Sequence, residues 1–127
     1  MRYLLDTHVA LWLFEGNEKL SQAARDIIFN AENEVYISIV SAWEVAIKVS
    51  LNKLDFEGGS DAFLSAVEIY KMDVLGVKSL HVITVEKLPY IHRDPFDRLI
   101  VSTALAEGLT IVTADEDIQE YDVLWVW

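Results

Sequence analysis

A helix begins within the sequence His92-Arg93-Asp94-Pro95-Phe96-Asp97-Arg98-Leu99-Ile100. Pro95 has no backbone N–H and a fixed φ that suits the first turn of a helix, and Asp94 before it is a favourable N-cap residue. Apolar residues then recur at helical spacing until Gly108 ends the pattern: Leu99, Ile100, Ala104 and Leu105. The pattern predicts a helix from about residue 94 to residue 107, with Asp97 in its first turn.

Asp97 has an ordinary explanation, because a carboxylate in the first turn satisfies free N–H groups and complements the helix dipole. Three other acids stand in comparable places. Asp6 and Asp115 each follow an apolar strand-like segment, and Glu44 lies near the start of the helix after such a segment. This repetition favours a shared site over four unrelated caps.

Predicted strands and helices alternate along the chain. The predicted strands are short, apolar and rich in β-branched or aromatic residues, at 3–5, 35–39, 74–77, 109–113 and 123–126. The predicted helices lie at 8–14, 21–28, from 41, 61–71, 79–88 and 94–107. Continuously apolar strands separated by helices indicate a parallel sheet covered on both faces. We therefore predict a single α/β domain over 1–127, a three-layer α/β/α sandwich around four or five parallel strands, with the first strand central.

The composition excludes several classes of protein. The formal net charge is −11, with 21 acids against 10 bases, whereas a simple nucleic-acid-binding module shows a basic face. The chain has no cysteine, which excludes disulfides and thiolate metal sites and fits a cytoplasmic location. His8, His81 and His92 lack zinc-ligand spacing and are interpreted as polar contacts. No apolar run reaches the length of a membrane span, and Asp6 interrupts the N-terminus before a signal peptide can form.

The four acids are expected to meet at one edge of the sheet. Sites in parallel α/β sheets form beyond the carboxyl ends of the strands, and right-handed connections bring strand ends and helix starts to that edge. Clustered carboxylates raise one another's pKa unless a cation compensates, and Mg²⁺ or Mn²⁺ prefers oxygen ligands. The chain has no Gly-rich phosphate loop and no evident Ser-His-Asp order.

Glu44 also has two structural interpretations. Ser41 and Glu44 match a capping box, a serine followed three residues later by a glutamate. Glu44 and Lys48 are four residues apart, which is the spacing of an ion pair on a helix surface. The sequence leaves these alternatives open beside a role in a metal site.

The chain resembles the PIN-domain ribonucleases, and within them the VapC-type toxins of type II toxin–antitoxin systems. The resemblance extends over nearly the whole chain. It depends on the order and spacing of four motifs: Leu4-Leu5-Asp6-Thr7, Ser41-Ala42-Trp43-Glu44, His92-Arg93-Asp94-Pro95-Phe96-Asp97-Arg98 and Val112-Thr113-Ala114-Asp115.

The resemblance implies a PIN-like fold and a hydrolase, an endoribonuclease that cleaves RNA with metal-activated water and leaves a 5′-phosphate. The implied cofactor is Mg²⁺ or Mn²⁺. The residues implied as catalytic metal ligands are Asp6, Glu44, Asp97 and Asp115. Asp117 is a candidate extra or substitute acid, and the favoured alternative for it is a solvated residue at a helix start. The residues implied as supporting them are Thr7, Thr113 and the helix cap Asp94.

The resemblance also implies partners. Arg93, Arg98 and Lys48 are candidates for contacts with substrate phosphate, although an ion pair explains Arg98 equally well. The family expectation is a homodimer that an antitoxin protein holds inactive. We expect the antitoxin to contact Trp12 or Phe14 and to place a basic residue in the acidic site, unless the first helix is simply buried in the core.

Two alternatives belong to other functional classes. The first is a catalytically silent PIN-fold module that binds protein, although such a module has no need to retain four acids. The second is a doubly wound phosphatase with Asp6 as nucleophile, but His8 stands where one such family has a second acid.

Overall fold

The structure is a computed structural model that describes residues 1–127. The strands are β1 (Arg2–Leu5), β2 (Glu34–Ser38), β3 (Asp73–Leu75), β4 (Thr110–Val112) and β5 (Trp125–Val126). The helices are α1 (Thr7–Glu15), α2 (Gln22–Phe29), α3 (Ile39–Ser50), α4 (Gly59–Ile69), α5 (Ser79–Lys87), α6 (Pro95–Glu107) and α7 (Glu116–Gln119). No helix has both the length and the apolar character needed to cross a membrane.

The five strands form one parallel sheet in the order β3-β2-β1-β4-β5. The first strand is central, as predicted, with Leu5 paired to Ile37 on one side and to Val112 on the other. The strand order reverses beside β1, which is where sites form in such sheets. The sheet therefore places Asp6 in the middle of its carboxyl edge.

Two apolar cores cover the two faces of the sheet, which confirms the three-layer architecture. Neighbouring residues of a strand point to opposite faces, so Leu5 belongs to the larger core with α1 to α4, and Leu4 belongs to the smaller core with α6 and α7. Both leucines are fully buried. The sheet is apolar on both sides because helices pack on both sides.

Helix α6 begins and ends as the sequence predicts. The Asp94 carboxylate accepts hydrogen bonds from the N–H groups of Phe96, at 2.8 Å, and Asp97, at 3.4 Å. Pro95 is the first helical residue, and Gly108 closes the helix in the left-handed conformation with φ 67°. Asp97 therefore lies in the first turn, facing the carboxyl edge of the sheet.

Helix α3 begins earlier than the sequence predicts, and the prediction of a capping box at Ser41 and Glu44 is wrong. Ser38 is the N-cap, and its side chain accepts from the Val40 N–H at 3.1 Å. The β-branched pair Ile39 and Val40 favours a longer strand in the sequence, but both residues are helical. Ser41 and Glu44 therefore lie inside the helix.

Candidate active site

Asp6 is held at the centre of the carboxyl edge. Its N–H donates to the Val112 carbonyl at 3.0 Å, and its Oδ2 accepts from the Thr113 hydroxyl at 2.9 Å. The residue is only 2% exposed, and its Oδ1 has no hydrogen-bond partner. Burial is the main cause that raises the pKa of Asp6. The protein therefore holds a carboxylate here with one oxygen unsatisfied.

Glu44 also has one carboxylate oxygen without a hydrogen-bond partner. The residue is 2% exposed, its Oε2 accepts from Lys48 Nζ at 2.6 Å, and its Oε1 has no partner. The predicted ion pair is confirmed, but it satisfies one oxygen only. Thr7, expected to support the acids, instead bonds the Ser41 hydroxyl at 2.7 Å. That contact joins the first turns of α1 and α3, and Ser41 acquires a positioning role that the sequence did not suggest.

Asp97 is the residue whose pKa is affected by the negative charges of all the other acids. The residue is buried, and its pKa is raised to about 8, first by burial and then by the negative charges of Asp6, Asp94, Glu44 and Asp115. Because unscreened repulsion between carboxylates requires proximity, the predicted ligands lie close enough to repel one another. The structure thus brings all four together at one edge.

His92 lies inside this cluster, which the sequence did not predict. Its Nε2 is 3.0 Å from Asp97 Oδ2 and 3.0 Å from Asp115 Oδ2. Its Nδ1 accepts from the Asp94 N–H at 3.1 Å, which assigns the proton to Nε2 and makes the ring the donor to both carboxylates. The spacing of His92 two residues before the N-cap was the available signal, since it allows this local bond.

Asp115 and Asp117 lie at the start of α7. Asp115 Oδ1 accepts from the Asp117 N–H at 2.9 Å, which caps this short helix. The Thr113 hydroxyl also accepts from the Asp115 N–H at 3.0 Å. Ligand atoms of His92, Asp115 and Asp117 lie within 4.8 Å of one another. Asp117 is exposed, so it borders the cluster at the solvent side.

The donor atoms fit a hard divalent cation. Two buried carboxylate oxygens, Asp6 Oδ1 and Glu44 Oε1, have no hydrogen-bond donor, and leaving such atoms unpaired is costly. The repulsion that raises the pKa of Asp97 is removed by a positive charge in the cluster. Carboxylates are the ligands that Mg²⁺, Ca²⁺ and Mn²⁺ share.

Arg98 has a structural role, which corrects its proposed contact with substrate phosphate. The residue is 8% exposed. Its guanidinium donates to the carbonyls of Val85 and Pro89 and to the Tyr121 hydroxyl, at 3.0 to 3.2 Å, and it lies over the Tyr90 ring. Arg98 therefore fixes the segment between α5 and α6. Arg93 is exposed, and its contact with substrate phosphate stays a prediction.

Trp12 and Phe14 are both half-buried rather than free. The Trp12 ring packs against Trp127 at a centroid distance of 5.7 Å, and Phe14 packs against Phe63 at 5.2 Å. Both rings border the larger core. Much of the apolar surface of α1 is therefore used within the protein, and Trp12 keeps an accessible edge beside the acidic site.

Comparisons with known proteins agree with this architecture. Residues 3–124 match the family model described as PIN domain. Ribonuclease VapC22 of Mycobacterium tuberculosis (strain ATCC 25618 / H37Rv) is 29% identical over 119 residues, covering 93% of this chain and 90% of that protein.

Solved structures share the fold at low identity. VapBC2 from Rickettsia felis, bound to a DNA fragment from its promoter, gives a TM-score of 0.75 with 17% identity over 100% of this chain and 99% of that chain. FitAcB from Neisseria gonorrhoeae gives 0.70 with 21% identity over 98% and 96%. These likenesses support the order of strands and helices described above.

Proposed function

This chain belongs to the PIN domain family, and on that premise we propose that it is a metal-dependent endoribonuclease, the toxin of a toxin–antitoxin pair. The observation that carries the proposal is the set of buried, mutually repelling carboxylates, two of whose oxygens lack any donor. Such a cluster is unfavourable in the protein alone and favourable around a cation. The similarity to a ribonuclease supports RNA as the substrate class.

The proposed metal ligands are Asp6, Glu44, Asp97 and Asp115, and the proposed ion is Mg²⁺ or Mn²⁺. When bound, the ion supplies Lewis-acid polarisation of a phosphodiester and a water of lowered pKa. Thr113 orients Asp6 through its hydroxyl, and Lys48 holds Glu44. His92 holds Asp97 and Asp115 at a fixed separation through its Nε2–H. Asp94 sets the helix start that carries Asp97.

The same observations argue against the two alternative functions. A protein-binding module gains nothing from three buried acids and a half-buried Asp115 whose repulsion opposes folding. A phosphatase with Asp6 as nucleophile needs an exposed carboxylate and a second acid nearby in sequence, whereas Asp6 is buried and residue 8 is histidine. Metal-dependent cleavage of a phosphodiester remains the activity that uses all four acids.

The test compares two substrates with one matched variant. Purified protein with Mg²⁺ or Mn²⁺ should cut single-stranded RNA into fragments with 5′-phosphate ends and should release no phosphate from p-nitrophenyl phosphate. Asp6→Asn protein, prepared in parallel, controls for contaminating ribonuclease and should leave the RNA intact. Equal cleavage by both preparations, or hydrolysis of the phosphomonoester alone, would refute the proposal.

We also propose an antitoxin that binds beside α1 and places a basic side chain among the four acids. The solved relatives include toxin–antitoxin complexes, and a cation from a partner can replace the metal charge. Homodimerisation stays a prediction. The exposed apolar side chains of α5 offer a surface for it: Leu80, Val82 and Ile83.

Trp12→Ala should weaken antitoxin binding, because Trp12 is the aromatic side chain of α1 that borders the acidic site. The protein is expressed with the product of its neighbouring reading frame, and the affinity of the purified pair is measured by calorimetry. Lys71→Ala, an exposed change at another surface, is the matched control. Normal folding of Trp12→Ala with undiminished binding would contradict this interface.

A further inference from the structure

We propose that the groove between α1 and α3 holds the RNA backbone beside the acidic site through Lys19, Lys48 and Lys53. This inference rests on the proposed function and concerns how the substrate is held. The groove has a cavity volume of about 310 Å³. Thr7 and Glu44 line it where it meets the acidic edge. Lys48 lines it on α3, Lys19 beyond the end of α1 and Lys53 beyond the end of α3.

The charge of this groove is opposite to that of the whole protein. The chain has a net charge of −11 and only 10 basic residues, yet three of them line this one groove. Two carboxylates, Glu15 and Glu44, also line it, and Glu44 is already paired with Lys48. Lys19 and Lys53 are exposed and form no ion pair, so their charges are free for a ligand.

The lysines are held at defined places along the groove. Lys48 lies one helical turn beyond Glu44, a rise of about 5.4 to 6 Å. Lys53 follows the end of α3, where Asn52 takes a left-handed conformation with φ 55° and the Lys53 N–H donates to the Lys48 carbonyl at 2.8 Å. Lys19 Nζ lies 6.0 Å from the centre of the Trp12 ring.

A phosphate chain is the ligand that this arrangement fits. An RNA chain whose scissile phosphate lies at the acids must continue away from them. Its neighbouring phosphates then need cations to bind them. The groove opens directly from Thr7 and Glu44, whereas the acidic remainder of the surface repels a polyanion. The antitoxin proposed above needs only the acids and the Trp12 ring, whereas a protein segment that followed the three lysines would have to be acidic. The observations therefore favour RNA over a protein segment.

The test reverses the charge of two lysines at a time. Asp6→Asn protein, which should not cut RNA, carries either Lys19→Glu with Lys53→Glu or, as the matched control, Lys71→Glu with Lys87→Glu. Both pairs change the formal net charge of the Asp6→Asn protein from −10 to −14, and all four lysines are exposed. Binding of fluorescein-labelled single-stranded RNA is followed by anisotropy over a salt series in Mg²⁺.

The groove pair should weaken binding by about tenfold or more and lower the slope of log Kobs against log salt by about 1.4, or about 0.7 for each lost phosphate contact. The control pair should stay within about twofold of Asp6→Asn alone. Lys19→Gln with Lys53→Gln, a milder change, should show the same loss in smaller degree. Thermal unfolding confirms that each variant is folded.

Other outcomes overturn the inference in distinguishable ways. Equal losses in both pairs would mean that the overall field holds the RNA, and no loss in either would exclude the groove. If the groove pair binds RNA normally but no longer binds a polyaspartate peptide, the groove is a protein site. If wild-type protein cuts RNA while the groove changes have no effect, only this inference fails. If it neither binds nor cuts RNA, the proposed function fails as well.

Discussion

Asp97→Asn should reduce RNA cleavage below detection while leaving the protein folded. The amide has nearly the volume of the carboxylate but no negative charge, so the proposed metal centre loses an anionic ligand at the point where the other acids converge. The measurement is the rate of cleavage of a labelled RNA at saturating Mg²⁺. Unchanged cleavage would remove Asp97 from the ligand set.

The same change should stabilise the metal-free protein at high pH. The folded protein retains the Asp97 proton up to about pH 8, whereas an unperturbed aspartate loses it near 3.8. The folded state therefore binds more protons than the unfolded chain between these values, and this contribution to the free energy of unfolding is lost as pH rises from about 4 to about 8. Asparagine does not titrate, so Asp97→Asn protein does not undergo this decrease. In urea unfolding, its free energy of unfolding should therefore increase relative to that of wild type as the pH rises from 5 to 8.

Asp94 provides the matched control, because it lies three residues away with a different proposed role. Asp94→Asn retains a capping side chain and should keep activity. Asp94→Ala should lower the free energy of unfolding by about 0.5–2 kcal/mol, the usual effect of a lost N-cap, with a smaller effect on cleavage. An inactive Asp94→Asn protein beside an active Asp97→Asn protein would mean that the two roles are reversed.

Chelation should abolish cleavage completely, and Mg²⁺ or Mn²⁺ in excess of the chelator should restore it. The carboxylates are negative and cannot themselves polarise a phosphodiester. The Lys48 ammonium is positive, but it is already paired with Glu44. EDTA saturated with Mg²⁺ beforehand is the matched control, since it adds the same molecule without removing metal. Undiminished cleavage in excess free EDTA would refute the metal mechanism.

Metal binding has a readout that does not depend on activity. A cation that binds only the folded state raises the unfolding temperature, and the effect grows with the logarithm of its concentration above its Kd. The increase should be clear for wild-type protein at pH 9, above the Asp97 pKa of about 8, and smaller at pH 6, where Asp97 holds its proton. Asp6→Asn should show little increase at either pH, and an equal increase would place the ion elsewhere.

The fold was predictable because local signals agree with one another. Asp94, Pro95 and Gly108 specify both ends of α6, and the apolar strands require helices on both faces of the sheet. The convergence of the acids follows from the same topology, since parallel strands end at one edge. The start of α3 was not predictable, because Ile39 and Val40 favour a strand, and Ser38 turns the chain first.

The contacts that individual side chains make were harder to predict than the places of the residues in the fold. Nothing near Arg98 in the sequence shows that Tyr121 and two carbonyls will surround its guanidinium. His92 was interpreted through zinc spacing, whereas its contacts with Asp97 and Asp115 depend on a loop held by the same Tyr121 hydroxyl, which accepts from the His92 N–H at 2.8 Å. These contacts arise from residues distant in the sequence.

The central position of β1 has a consequence for the time at which activity can arise during synthesis. The first strand must pair with β4, and the Asp6 side chain is bonded to Thr113, 107 residues later. Contacts of such separation form late, because the entropy lost in closing a long loop opposes them. A partly synthesised chain therefore carries Asp6 and Glu44 without a completed site. All residues up to Asp115 must be synthesised before the four acids can meet.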